Sequence, residues 1–395
     1  MTGALLLVPA LGSRAWLGWT GAAFVWLVAV LVIGGRVSWL VTDRKRPPWL
    51  TRLIDEPLFV LWGAALLSVP LFVGSCELSL LGSVAGWAPF DLNLAAGVAS
   101  AAGLALSAWG TWVERHRVRV VERELVVPGL PAAFDGYRIV HVSDLHIGSF
   151  HGLARGLGWI ERANSLRPDL VAVTGDLLTT GDDFVEDAAE VVGALRAPDG
   201  VVACLGNHDV HGEPELTRAL ERRGVRVLRN AHEVVRRGDA SVVVAGVDEL
   251  YGGKADLDGA LAGRPEATCV LLAHFPDFLE PAALRGVDIV LSGHTHGGQI
   301  GVPFLADRAH VGSLTRQRSR GVHRRDRTQL VVSAGLGTTG PPLRLGIRPE
   351  IGVVVLRSAP AQAPALDTRA ALGHDRRVSA PPLDPRAATT GSGAR

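Results

Sequence analysis

Five short clusters of carboxylate, amide and imidazole side chains punctuate the middle of the chain, each directly after an apolar run. Asp144-Leu145-His146 follows RIVHVS, and Gly175-Asp176 follows LVAVT. Gly206-Asn207-His208-Asp209 follows VVACL, His274 follows CVLLA, and Gly293-His294-Thr295-His296 follows DIVLS. Singly, each has an ordinary explanation: an Asp at a strand end forms a turn or a cap, and a lone buried His is satisfied by the core. Together they offer carboxylate, imidazole and amide oxygen, the ligands of divalent metals of the Mn, Fe or Zn kind. A carboxylate has two oxygens, so Asp176 is suited to bridge two ions. Two ions about 3.5–4 Å apart hold a phosphate, activate a water between them and stabilise a leaving oxygen.

The apolar runs that carry these clusters read as strands: 138–142, 170–174, 200–205, 241–247, 269–274 and 288–293. They are short and rich in Val, Ile and Leu. Between them, LARGLGWIERANSL (153–166), FVEDAAEVVGALR (184–196) and PELTRALERRG (214–224) have amphipathic helical spacing. Nearly continuous apolar strands imply sheets covered on both faces, and ligands of such α/β sheets collect at one edge, beyond the strand ends. GVHRRDRTQLVVSAG and PEIGVVVLR read as a hairpin and a closing strand.

The order Asp-x-His, Gly-Asp, Gly-Asn-His-Asp, His, Gly-His-x-His resembles the calcineurin-like metallophosphoesterase superfamily, over roughly residues 137 to 358. GHTHGGQIGVP, with SAGLGTTGPPLRLGIRPEIGVVVL after it, resembles more narrowly a bacterial membrane-linked branch that includes enzymes acting on UDP-diacylglucosamine-type pyrophosphates. The resemblance implies a four-layer α/β/β/α sandwich of two mixed sheets. It implies that Asp144, His146 and His296 bind a first divalent ion, that Asn207, His274 and His294 bind a second, and that Asp176 bridges. His208 would contact the phosphate and stabilise charge or protonate the leaving group. Asp209 either orients His208 or caps a helix. Gly297, Gly298 and Gln299 shape the loop, and His141, His151 and His211 are structural or solvent-exposed. The metallo-β-lactamase alternative requires an early H-x-H-x-D-H run, whereas here H-x-H comes last and lacks the trailing Asp-His.

The first 112 of the 395 residues differ in kind: they hold nine of the ten tryptophans and none of the thirteen histidines. Segments 15–33, 57–75 and 92–112 are uncharged and about 20 residues long, the length a bilayer core requires. Tryptophans fall near their ends, as interface anchors do. Residues 1–113 therefore read as about three membrane spans, with 4–12 too short to cross alone. Arg36, Arg44, Lys45, Arg46 and Arg52 follow the first segment, Glu77 and Asp91 the second, and Arg115, Arg117 and Arg119 the third. Positive residues favour the cytoplasmic side, which places the domain at 117–358 in the cytoplasm of a multi-pass protein. The Pro-, Ala- and Arg-rich tail, 359–395, reads as disordered.

A net charge of +1 without an aromatic-spaced basic stripe argues against a nucleic-acid partner. Three scattered cysteines form neither a disulfide framework nor a zinc knuckle, and nothing implies an obligate protein partner. RQRSRGVHRRDR (316–327) is either a solvated loop or a basic collar meeting anionic headgroups, with Arg324 and Arg325 the candidate substrate contacts. The expectation is a membrane-anchored, dinuclear metal-dependent phosphoesterase acting on a phosphorylated small molecule or a lipid-linked phosphate or pyrophosphate. The rivals are a generic phosphoesterase of soluble substrates and a membrane sensor that holds metal without turnover.

Overall fold

A computed structural model describes residues 43–87, 91–301, 318–359 and 376–377. The expected first span and residues 4–12 lie outside these residues, as does the tail apart from Arg376–Arg377. Helical turns from Pro48 run without a break into α1 (Glu56–Val84), which is followed by α2 (Leu92–Trp112). The second helix has the bounds of its apolar run. The first extends past the expected end at 75, because 76–84 contains no proline and its one glycine, Gly82, stays in the helix. Gly86, at φ +81°, is the terminator. The two helices lie antiparallel: Trp112 Nε1 donates to Glu56 Oε2 at 3.2 Å, and Gly103 brings α2 onto the backbone of Ala64 and Ser68.

The remaining elements alternate in chain order. They are β1 (Arg119–Val127), β2 (Arg138–Val142), α3 (Leu153–Ser165), β3 (Leu170–Thr174), α4 (Val185–Gly193), β4 (Val201–Cys204), α5 (Glu213–Glu221) and β5 (Val225–Val227). Then follow β6 (Ala231–Arg237), β7 (Ala240–Gly246), α6 (Leu257–Leu261), β8 (Thr268–Leu272), α7 (Leu279–Leu284) and β9 (Ile289–Ser292). The hairpin β10 (Gly321–Arg325) and β11 (Thr328–Val332), then β12 (Glu350–Ser358) and the two-residue β13 (Arg376–Arg377), complete the order.

One sheet runs β13-β1-β12-β2-β3-β4-β5 and the other β10-β11-β9-β8-β7-β6, each mixing parallel and antiparallel pairs. The closing strand lies inside the first sheet, parallel to β1 and antiparallel to β2. Alternate residues of each strand face opposite ways, and the buried clusters follow. Ile139, Leu170, Ala172 and Val202 meet Val242, Val270, Leu272 and Ile289 between the sheets. Val140, Val142, Val171 and Val173 pack outward on α3, α4 and α5. Val243, Cys269, Leu271 and Val290 pack outward on α6 and α7. The layers are therefore α/β/β/α. β2, β3 and β4 of one sheet, and β8 and β9 of the other, open their carboxyl ends onto one common edge.

Candidate metal centre

Seven side chains from five strand ends converge at that edge. Asp144, His146, Asp176 and His296 form one group, and Asp176, His274 and His294 a second; within each, the ligand atoms lie within 4.8 Å of one another. Asp176 belongs to both. Its Oδ2 is 3.5 Å from His146 Nε2 and 3.3 Å from His274 Nε2. Asn207 joins the second group through Oδ1, 3.1 Å from His294 Nδ1. Nε2 of His146 and Nε2 of His296 face each other at 3.0 Å.

The backbone is bent to achieve this. Asp144, His146, Asp176, His294 and His296 all have φ between 45° and 70°, five of the nine non-glycine residues with positive φ among those described. Such conformations cost about 1–3 kcal/mol each and persist only where the surroundings enforce them. Glycines make room alongside: a Cβ on Gly206 would strike Asp176 Oδ1, and one on Gly293 would strike Asp144 Oδ2 and Ser143 Oγ. This is the physical reason for the Gly before Asn207 and before His294.

The donor set fits divalent cations. Asp144 Oδ2 is buried without a hydrogen-bond partner, a costly state for a carboxylate oxygen unless a cation meets it. Burial pulls His146 down to about 3, His294 to about 4 and His296 well below its ordinary range, so these imidazoles are neutral, the form that ligates metal. His274 Nδ1 is 2.8 Å from the Thr174 carbonyl, which only accepts, so Nδ1 carries a proton and Nε2 is the nitrogen turned to the site. Burial would lower His274 too, but Asp176 reverses this and holds it up at about 10. At that value Nε2 is protonated as well; a cation between Asp176 and His274 would take the place of that proton and leave Nε2 a lone pair.

His208 is set apart from the ligands. Its Nδ1 donates to the Thr179 carbonyl and its ring meets His146 edge-on, centroids 4.8 Å apart, which leaves Nε2 for a substrate. Its backbone N–H donates to Asp176 Oδ1 at 2.9 Å. Asp209 does neither thing expected of it. It accepts from Leu177 N, Leu178 N and Gly206 N at 2.8, 3.0 and 2.9 Å, and so staples the Asp176 loop to the Asn207 loop. Gln299 shapes the loop after His296 by bonding Thr339 and Pro341. His141 and His151 are buried and hydrogen-bonded to threonines, and His211 is exposed.

The structure does not bring Arg324 and Arg325 to the centre. They pair with Gln329 and Thr328, at the start of β11. The site lies at the other end of β11, where Val332 pairs with Ser292 and the chain passes under Asp144 through the bond from Gly337 N to Asp144 O, 2.7 Å. The antiparallel turn carries the two arginines to the far end of the sheet. Arg318 pairs with Glu280, Arg316 is outside the described residues, and Arg320 is the basic residue that reaches the site loop, packing beside Gly297.

Two contributors escape a reading of motifs. Tyr251 is exposed on the rim, its ring centroid 6.2 Å from that of His294; the signal was a rare Tyr before Gly252-Gly253. Arg344 is fully buried beneath the centre and donates to the carbonyls of Ala334, Gly335 and Gly337 at 2.8, 3.2 and 2.6 Å. Nothing local distinguishes it in an Arg-rich sequence.

Two mixed sheets opening five strand ends onto a shared-carboxylate donor set define a binuclear metallohydrolase. The family model for the calcineurin-like phosphoesterase matches residues 137–298. The chain is 31% identical over 271 residues to the uncharacterized metallophosphoesterase YkuE of Bacillus subtilis, covering 67% of this chain and 94% of that one. It is 33% identical over 260 residues to a Danio rerio transmembrane protein with metallophosphoesterase domain, covering 61% of this chain and 58% of that one. The chain belongs to the calcineurin-like metallophosphoesterase family, and it is a phosphoesterase hydrolase that uses divalent metal.

Proposed function

We propose that the chain is a membrane-anchored phosphoesterase that hydrolyses an amphiphilic phosphate ester or pyrophosphate at a two-ion centre. The observation that carries the two-ion reading is Asp176 Oδ2, placed between a histidine of each group. Asp144, His146 and His296 would hold one ion, Asn207, His274 and His294 the other, with Asp176 shared. Two such ions supply a deprotonated water at neutral pH and Lewis acidity toward the phosphoryl oxygens. The chain's own residues do the rest. The staple of Asp209 fixes the spacing of the Asp176 and Asn207 loops, and burial excludes water from the donors. His208, with Nδ1 donating to the Thr179 carbonyl, would as the imidazolium give its Nε2 proton to an oxygen of the substrate and be left with a lone pair there.

Membrane anchoring is supported by the two helices. They have mean hydropathies of 2.0 and 1.4, and only 28% of each apolar window is buried. Leu71, Val73, Leu80, Leu94, Val98 and Trp109 are among the large apolar side chains left exposed, a surface that water does not favour. A lipid-linked substrate is supported by this placement and by the likeness of GHTHGGQIGVP to the branch acting on UDP-diacylglucosamine-type pyrophosphates.

The test is a paired substitution. Asp176→Asn is expected to lose bound metal and phosphodiester hydrolysis together. His208→Gln is expected to keep its metal, measured by elemental analysis, and to lose rate by roughly 10²–10⁴-fold. Full activity of Asp176→Asn would refute the two-ion assignment, and metal binding without any turnover by the wild type would leave a sensor.

A further inference from the structure

The segment that enters α1 forms a wall of the active site. Asp43 accepts from Ser149 N at 2.8 Å, its own N–H donates to Thr180 Oγ1 at 3.1 Å, and Lys45 Nζ bonds Asp187 at 2.7 Å. Phe59, in the first turn of α1, meets Phe150 edge-on at 5.3 Å. Ser149 and Phe150 follow the Asp144–His146 loop, and Thr180 follows the Asp176 loop. The pre-helix segment is thus fastened to the continuations of two metal loops. Between them lies a cavity of about 200 Å³ with His208 in its wall.

Three features of its lining define what it takes. Asp43 and Asp55 face a single guanidinium, Arg46, which is already engaged with Asp55 at 3.1 Å. That balance disfavours a second phosphate. Thr179, Thr180, Thr338 and Thr339 line the polar side; Thr179 Oγ1 bonds His146 O, Thr180 Oγ1 accepts from Asp43 N and Thr338 Oγ1 bonds His151, and each hydroxyl keeps a further lone pair that an alcohol group can meet. Phe59 and Phe150 supply an aromatic side, and beyond Phe59 the helix presents exposed apolar residues such as Leu61 and Leu71. At about 200 Å³ the space is below the size of a whole small-molecule site, commonly about 300–1,000 Å³; it suits one arm of a substrate. The arm on the side of His208 is the one whose oxygen that residue can protonate.

We propose that this cavity receives the neutral, hydroxyl-bearing arm of an amphiphilic phosphate ester, a glycerol-like group with its tail directed along α1, so that residues 43–59 belong to the substrate site. This rests on the phosphoesterase reading above. It assigns the membrane-proximal segment a role in recognition as well as in tethering.

The test uses the full chain in detergent with Mn²⁺, and 1-oleoylglycerol 3-phosphate as probe. Phe59→Ala and Phe150→Ala are each expected to raise KM by about 10-fold, with the loss falling on KM rather than kcat and bound metal per chain equal to wild type. A second readout needs no turnover. In a Cys76→Ser background and with metal chelated, maleimide labelling of Thr339→Cys is expected to be slowed by 1-oleoylglycerol, and by neither glycerol nor inorganic phosphate. Unchanged KM in both alanine variants together with unslowed labelling would overturn the proposal. Equal protection by glycerol would overturn its amphiphilic part. Absence of phosphate-ester turnover by wild type, with labelling still slowed by the lipid, would sink the phosphoesterase reading and uphold the cavity's occupant.

Discussion

At the scale of residues, the side chains that gather at the strand ends were legible and those that support them were not. Asp144, His146, Asp176, Asn207, His274, His294 and His296 announce themselves because each follows an apolar strand, and Asp176, Asn207, His294 and His296 also stand beside a glycine. Arg344 carries no such mark, since its partners are the carbonyls of Ala334, Gly335, Gly337 and His296 and the ring of His296, whose Nδ1 is 3.4 Å away. A guanidinium spans these acceptors because its five donors radiate from one plane, whereas an ammonium offers three from a point. Arg344→Lys should therefore leave carbonyls of the loop beneath Asp144 and His296 unpaired. The expected result is a metal affinity lower by about 10–100-fold in a calorimetric titration, as for loss of a support behind a ligand. Stability should fall by about 1–3 kcal/mol in denaturant unfolding, for buried acceptors left unmet. Wild-type metal affinity in this variant would show that the ligands hold their own geometry.

At the scale of elements, strands that are apolar throughout were read directly, and β1 was missed. Its sequence, RVVERELVV, interrupts the apolar pattern with four charges. What holds it in the sheet beside β12 lies 227 residues away. Glu350, at the start of β12, is completely buried and bonds Arg119 and Arg123 of β1, both at 2.8 Å. No local window holds both halves of that contact. Burial alone would raise the Glu350 carboxyl, but Arg123 and Arg119 outweigh it and hold the group down at about 2 from an ordinary 4.5. A depressed carboxylate contributes stability that is complete above its unfolded value and is lost as pH falls through its folded value. The contribution, about 3 kcal/mol for a shift of this size, is thus present above pH 4.5 and disappears toward pH 2. Glu350→Gln should be less stable than wild type by about that amount at pH 7, with two arginines left uncompensated. In metal-free protein the gap should close between about pH 4.5 and pH 2, as followed by urea midpoints. A gap that stayed constant through that range would mean that the charge of Glu350 is not what joins β1 to β12.

At the scale of the whole molecule, the helical hairpin and the sandwich meet through short, specific contacts. Glu56 pairs with Arg115, Gly110 O accepts from Arg344 N at 3.3 Å, and Gly110 packs so closely that a Cβ there would strike Leu343. The start of α1 and the end of α2 therefore both lie against the catalytic domain, and the end of α1 and the start of α2 lie at the far end of the hairpin. Among the described residues the charges follow the same geometry: Arg44, Lys45, Arg46, Arg52, Arg115 and Arg117 flank the domain side, while Glu77 and Asp91 lie toward the far end. Loop charge in the sequence gives only an expectation of sidedness, and it gives no sign that the helices also press on the loop that supports His296, because Arg344 is distant in the chain from both. If the hairpin crosses a membrane, the positive side and the catalytic domain share the cytoplasmic face. A fluorescent reporter that folds only in the cytoplasm should then be bright when fused after Arg357, and a phosphatase reporter that matures only after export should be active when inserted at Gly86. The reverse pattern would place the centre outside the cytoplasm, and activity of the exported reporter at both positions would show that the hairpin does not cross at all.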